Sequence, residues 1–372
     1  MDFQDCINAI RSQMREQGVD LLLGFHDGGH FIEKPNAVMV LSGFKSIGQA
    51  MVILPCDGEA KLVVSPPWDA ERAAEPSAHL HAVGADDVVN GLADYLARQP
   101  VSPSRVGTAG LASMPWPIEE RVTALLRSEA RALERMVFGS ARKKTADQIA
   151  KARVAARIAE QGYDRLLQVA RPGMREDELA LELRHYMKTL GAEDNFLMLC
   201  ANPHNRAVQP SSGRRLETGD IILAEITPSY RGQMAQICRT AVLGTASESL
   251  RQGYELVVRS MEQGIATARP GATMADVCRA IDSVLEAEGY GEYCHPPHIR
   301  RRGHGLGFGS NLPGDVSLDN TTMLEADMFF VIHPNQYLPE TGYLLCGEPV
   351  LITAKEPELL SERQASLAEI PR

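Results

Sequence analysis

Apolar residues in the first third of the chain come in short runs: LLLGF from Leu21, AVMVL from Ala37, MVILP from Met51 and KLVVS from Lys61, with a helical stretch near 86 to 98. Runs of this length between turn-forming residues suit strands, and strands alternating with helices describe a small α/β domain. The polar segment FGSARKKTADQIAK from Phe138 breaks the pattern. A domain boundary is expected there, dividing 1–138 from 139–372.

Beyond it the period changes to that of a helix. Thr145 offers an N-cap, and Ile149, Ala152, Ala156, Ala159, Tyr163 and Leu166 recur in steps of three and four, which predicts one buried stripe. A second helix follows ARPG at 170–173, with Leu179, Leu183, Met187 and Leu190 on one face. The same phrase returns at 268–271, followed by Val277, Ile281 and Leu285 at helical spacing. Each copy leads into a pair of expected strands, 221–226 and 236–243 in the first, 329–334 and 343–353 in the second. Two copies predict a duplicated α/β unit rather than a solenoid, which needs more repeats, within a second domain that is α+β as a whole.

A length of 372 residues suits two domains, and 44% hydrophobic with 23% charged residues is ordinary for a globular protein. The net charge of -10 argues against nucleic acid or an anionic membrane as the main partner. No run approaches the ~18 apolar residues of a spanning helix, and the N-terminus lacks the basic start and apolar run of a secretory signal. A cytoplasmic location is expected. Seven cysteines, Cys6, Cys56, Cys200, Cys238, Cys278, Cys294 and Cys346, form no CxxC pair and read as reduced thiols.

The segments RPG plus helix, PHN at 203–205, GDIILAEITPSYRGQMAQICRT at 219–240, GHGLGFG at 303–309 and FFVIHPNQYLP at 329–339 resemble the creatinase and aminopeptidase P family, over about Thr145 to Thr353. VLSGF at 40–44 resembles the domain that precedes the catalytic one in that family. The resemblance implies a pita-bread fold with an internal pseudo-two-fold repeat, a homodimer, and a pocket where metal-dependent members hold two cations. The ligands implied at those positions are exchanged here. Two aspartates 11 residues apart become Glu225 and Gln236, the GHG histidine is kept as His304, a glutamate becomes His333, and the last carboxylate falls on Gly347 with Glu348 beside it. An amide cannot bridge two cations, so no dinuclear centre is expected.

Three readings of this pocket follow. In the first, the chain is a non-peptidase enzyme that hydrolyses a C–N bond in a small polar substrate without metal, as creatinase does. His204 is then the proton shuttle, His304 and His333 touch the substrate, and Glu225 is the acidic partner. In the second, Glu225, His304 and His333 hold a single Fe, Mn or Zn ion. In the third, the pocket binds without catalysis. Peptidase activity on proline-containing peptides would require two cations.

Gln236 and Cys238 share a strand face and shape the cavity floor, Cys238 as a small apolar filler rather than a nucleophile. Among Arg300, Arg301 and Arg302, which read as a solvated loop, Arg300 is the candidate for gripping a substrate carboxylate. Glu348 enters the site only if the strand register turns it inward. His26, His30, His79, His81 and His185 read as ordinary hydrogen-bonded residues. GHGLGFG lacks the preceding strand and the acidic residue of a dinucleotide site, so its glycines are expected to let the backbone pass close to His304.

Overall fold

Leu21–His26, Ala50–Pro55 and Lys61–Val64 form strands as their apolar runs predict, and they are buried almost throughout. The computed structural model describes residues 3–32, 34–127 and 130–371, which fall into two units. One holds the residues up to Thr145 together with Phe308–Ser310, and the other holds the rest. In the first unit a six-stranded mixed sheet runs in the order His81–Gly84, Lys61–Val64, Ala50–Pro55, Leu21–His26, Val106–Ala109, Arg131–Ala132.

AVMVL is the exception among the expected strands. Ala37–Ser42 is a helix, capped by Asn36, whose side chain accepts from the Met39 amide, and closed by Gly43 at φ 75, whose amide reaches the Met39 carbonyl. Every residue in it is buried, so the run carries no periodicity that separates a buried helix from a buried strand. The boundary also lies further on than expected. Leu133, Met136 and Val137 pack into the first unit's core, which keeps the helix Glu134–Ser140 with that unit and moves the division to Thr145/Ala146.

In the second unit the helices Ala146–Val169 and Glu176–Thr189 bury Ala152, Ala156, Ala159, Tyr163, Leu166, Leu179, Leu183 and Met187 as the stripes predict. They pack on the strands Asn195–Asn202, Ile221–Tyr230 and Ile237–Leu243, an antiparallel set that Ala368–Ile370 joins in parallel. The second half repeats the plan. Helices Glu248–Thr267 and Met274–Ala287 are followed by Gly303–Gly305, Phe329–Ile332 and Glu348–Leu351, again antiparallel. The expected strand at 343–353 is split, its first part forming a separate hairpin of Gln336–Leu338 with Gly342–Leu344.

Strand alternation then decides what faces the middle. Along Ile221–Tyr230, Ile222, Ala224 and Ile226 join the core under the first two helices, while Ile221 and Leu223 join the core shared with Val257, Ile281 and Phe330. Glu225 lies on the Leu223 side, between the halves. The two sheets meet where Cys238 and Gly347 exchange backbone hydrogen bonds of 3.1 and 3.0 Å.

Candidate metal centre

Glu225 stands directly across the strand pair from Cys238. Gln236, just before that strand, donates through Nε2 to Glu225 Oε1 at 2.5 Å and lies 3.6 Å from Cys238 Sγ. From the other half, His304 sits in the middle of Gly303–Gly305, and His333 follows the last residue of Phe329–Ile332. Their rings lie 5.3 Å apart, edge to face at 67°. One ligand atom from each of Glu225, His304 and His333 falls within 4.8 Å of the others.

The glycines beside His304 explain how its backbone fits. A Cβ on Gly303 would come within 2.1 Å of the Val331 carbonyl oxygen, and one on Gly305 within 2.0 Å of that of Asn311. Close passage of backbone on both sides of His304 therefore requires glycine.

Both histidines can turn a ring nitrogen to a metal. His304 Nδ1 lies 3.1 Å from the Gly305 carbonyl, a contact made by an Nδ1–H, which leaves Nε2 with its lone pair. His333 is buried at 5% exposure, and neither ring nitrogen has a hydrogen-bond partner. Burial, then His304, then the Arg301 charge hold its pKa well below the usual 6.5, so the ring is neutral. A buried neutral ring with both its N–H and its lone-pair nitrogen unsatisfied is uncommon without an unseen partner. One carboxylate and two imidazoles suit a single divalent cation. For a second ion, Gln236 offers an amide, Gly347 no side chain, and Cys238 a thiol whose pKa burial pushes well up. The residues present fit one cation.

Gly347 and His333 are matched by shape. A Cβ at 347 would come within 2.6 Å of His333 Cβ and 3.0 Å of Cys238 Cβ, so the histidine occupies the room that a side chain there would need. Glu348 does not take over. The register that pairs it with Ile332 turns its carboxylate to Arg239 at 2.8 Å, and both are 1% exposed. Ser361 also donates to it. Glu348 therefore holds a buried ion pair, contrary to the expected place among the substrate contacts.

His204 is exposed, its Nε2 3.0 Å from the Pro339 carbonyl and its ring edge-on to Tyr337. It is not a member of the metal-binding group. Arg300 is also exposed and lines a recess of about 170 Å³ with Cys278, Cys294 and His295. The charge of its neighbour Arg301 reaches His333, as that of Arg302 does more weakly, and Arg301 pairs with Asp315 at 3.1 Å. Gln236 and Cys238 are both fully buried beside Glu225.

Arg302 departs most from the solvated-loop reading. It is 1% exposed and pairs with Asp282 at 2.7 Å. The signal was present in the helix 274–287, where an aspartate shares the apolar face of Cys278, Ile281 and Leu285 and needs a buried cation.

A family model described as "Metallopeptidase family M24" matches residues 150–354. The "Uncharacterized peptidase YqhT" of Bacillus subtilis (strain 168) is 30% identical over 217 residues, 56% of this chain and 59% of that protein's length. The "Xaa-Pro dipeptidase" of Pyrococcus furiosus is 26% identical over 340 residues, 91% of this chain and 94% of that one. Among solved structures, the Xaa-Pro dipeptidase from Bacillus anthracis superposes with a TM-score of 0.84 at 21% identity, covering 99% of this chain and 100% of that one. The prolidase from Pyrococcus horikoshii OT3 gives 0.85 at 22% identity, with 97% and 99% covered. These names overturn the expected non-peptidase reaction on a small polar molecule, because the relatives that span nearly the whole chain are peptidases. The exchanged ligands predict a change of reaction, and the relatives give that no support.

Proposed function

Because the chain belongs to metallopeptidase family M24 and has the pita-bread fold, we propose that it is a metal-assisted peptidase that cleaves the C–N bond ahead of proline in Xaa-Pro dipeptides. The bond class and substrate follow the relatives' names. The observation that carries the metal part is the convergence of Glu225, His304 and His333, with both nitrogens of His333 unpartnered.

These three residues would hold one divalent cation, so this reading sets aside the expectation that such a peptidase needs two; when bound, that ion would polarise the scissile carbonyl and acidify an attacking water. The chain's own contribution is arrangement. Gln236 fixes Glu225 by donating to Oε1, and Gly305 fixes the His304 tautomer. Burial of His304 and His333 at 4% and 5% exposure keeps bulk water from competing for the donors. Cys238 stays a protonated thiol, so no acyl-enzyme on sulfur is part of this reading.

The test is hydrolysis of Ala-Pro and Gly-Pro against Ala-Ala by protein stripped with chelator and then supplied with Zn(II), Mn(II) or Co(II). Cleavage of the proline dipeptides restored by one of these ions, and lost in His304→Ala and His333→Ala, is expected. No cleavage with any of them would overturn the proposal.

A further inference from the structure

His333 is an unusual ligand to leave unsupported. It lies just past the end of its strand, neither ring nitrogen is held by a hydrogen bond, Pro334 follows without an amide donor, and Asn335 sits at φ 32. Two side chains hold this turn, Asn335, whose Oδ1 accepts from the Cys346 amide at 3.2 Å, and Arg302, which makes the larger number of contacts. The Arg302 carbonyl accepts the His333 amide at 2.8 Å. Arg302 Nη1 donates to the Pro334 carbonyl at 2.6 Å and to Gln336 Oε1 at 2.9 Å. Nε meanwhile donates to Asp282 Oδ1 at 2.7 Å, anchoring the guanidinium on the helix Met274–Ala287. Gln336 is fixed in turn, its Nε2 donating to the carbonyls of Tyr293 and Tyr337.

Arg302 also lies two residues before His304, so both imidazoles depend on the backbone around this one residue. Its burial at 1% exposure is costly for a cation, and the cost is offset by Asp282 and by the two oxygens it grips. A planar guanidinium can hold Asp282 on one edge and the turn on another, whereas the ammonium of a lysine is a point charge without that fork.

We propose that Arg302, anchored by Asp282, is the positioning residue that aims His333 at a cation. The inference rests on the metal reading above. Ligand-orienting partners of this kind typically change metal affinity by about 10- to 100-fold when removed. Arg302→Lys, which keeps the charge beside Asp282 but loses the fork, is therefore expected to weaken Zn(II) binding by about that factor. Gln336→Met, which removes one of the two oxygens and leaves the ion pair intact, shifts affinity in the same direction.

The experiment strips the full-length protein with chelator and titrates Zn(II) against a chromophoric chelator, at a temperature well below the melting point of each metal-free variant. Weaker binding in whichever variant folds supports the proposal, whatever its melting point. Affinity within about twofold of the parent, even with a lowered melting point, overturns it and leaves Arg302 a packing element, since a loss of ligand orientation should be larger than that. A parent protein that binds no Zn(II) fails the metal reading itself, a result distinct from the other two.

Discussion

Gly347 shows how one atom constrains the centre. Its missing Cβ is the space that the Cβ atoms of His333 and Cys238 close around. Gly347→Ala is expected to destabilise the protein by about 1–3 kcal/mol, the usual cost of overpacking. His333→Gly removes the nearest clashing atom, so the double variant should recover part of that loss, which a double-mutant cycle of melting data would show. Additive losses would mean the two positions do not compete for space. From sequence, the types and spacing of Glu225, His304 and His333 were legible because they lie in motifs. The fate of Glu348 was not, because a one-residue change of register exchanges a pocket face for the Arg239 face, and nothing local in GEPVLIT distinguishes the two.

At the level of elements, helices with a polar side were readable and wholly buried ones were not. The stripes on Ala146–Val169 and Glu176–Thr189 came through because each has a wet face to contrast with the dry one. Ala37–Ser42 has none, and its caps, Asn36 and Gly43, were the overlooked signals. The helix Met274–Ala287 starts with a capping box in which Thr273 accepts from the Asp276 amide and Asp276 accepts from Thr273. Thr273→Ala should cost about 1 kcal/mol, measured by denaturant titration.

The hydrogen bonds from Thr273, its hydroxyl first and then its amide, together with Arg279, hold Asp276 down to a pKa of about 2 from 3.8. A carboxylate with a depressed folded pKa adds stability that is complete above the unfolded value and lost on acidification through the folded one. Melting temperature should therefore fall between pH 3.8 and about 2, and fall less steeply in Asp276→Asn. Parallel profiles would refute this.

On the scale of the whole chain, each unit keeps its own core, and each has a distinct response to acid. His26 in the first unit is buried, accepts from the Gly28 amide through Nδ1, and stacks on His30 at 4.7 Å. Burial first and His30 second lower its pKa from 6.5 to about 4. The unfolded chain takes up a proton there before the folded one does, so this contribution is whole above pH 6.5 and is lost as pH falls toward about 4. Protection factors of amides in the strand Leu21–His26, corrected for the intrinsic pH dependence of exchange, should fall over that range, and His26→Gln should flatten the response. Among the described residues no helix is long and apolar enough to cross a membrane. The twofold plan of the second unit could be read from its repeated ARPG phrase, whereas the joining of its halves through Cys238 and Gly347 could not, since two residues 109 positions apart carry no shared pattern. That joint means neither half owns a working centre: Glu225 comes from one, His304 and His333 from the other. Zinc uptake would then act as a fidelity check on the duplication, lost as soon as the halves part even while every helix remains wound.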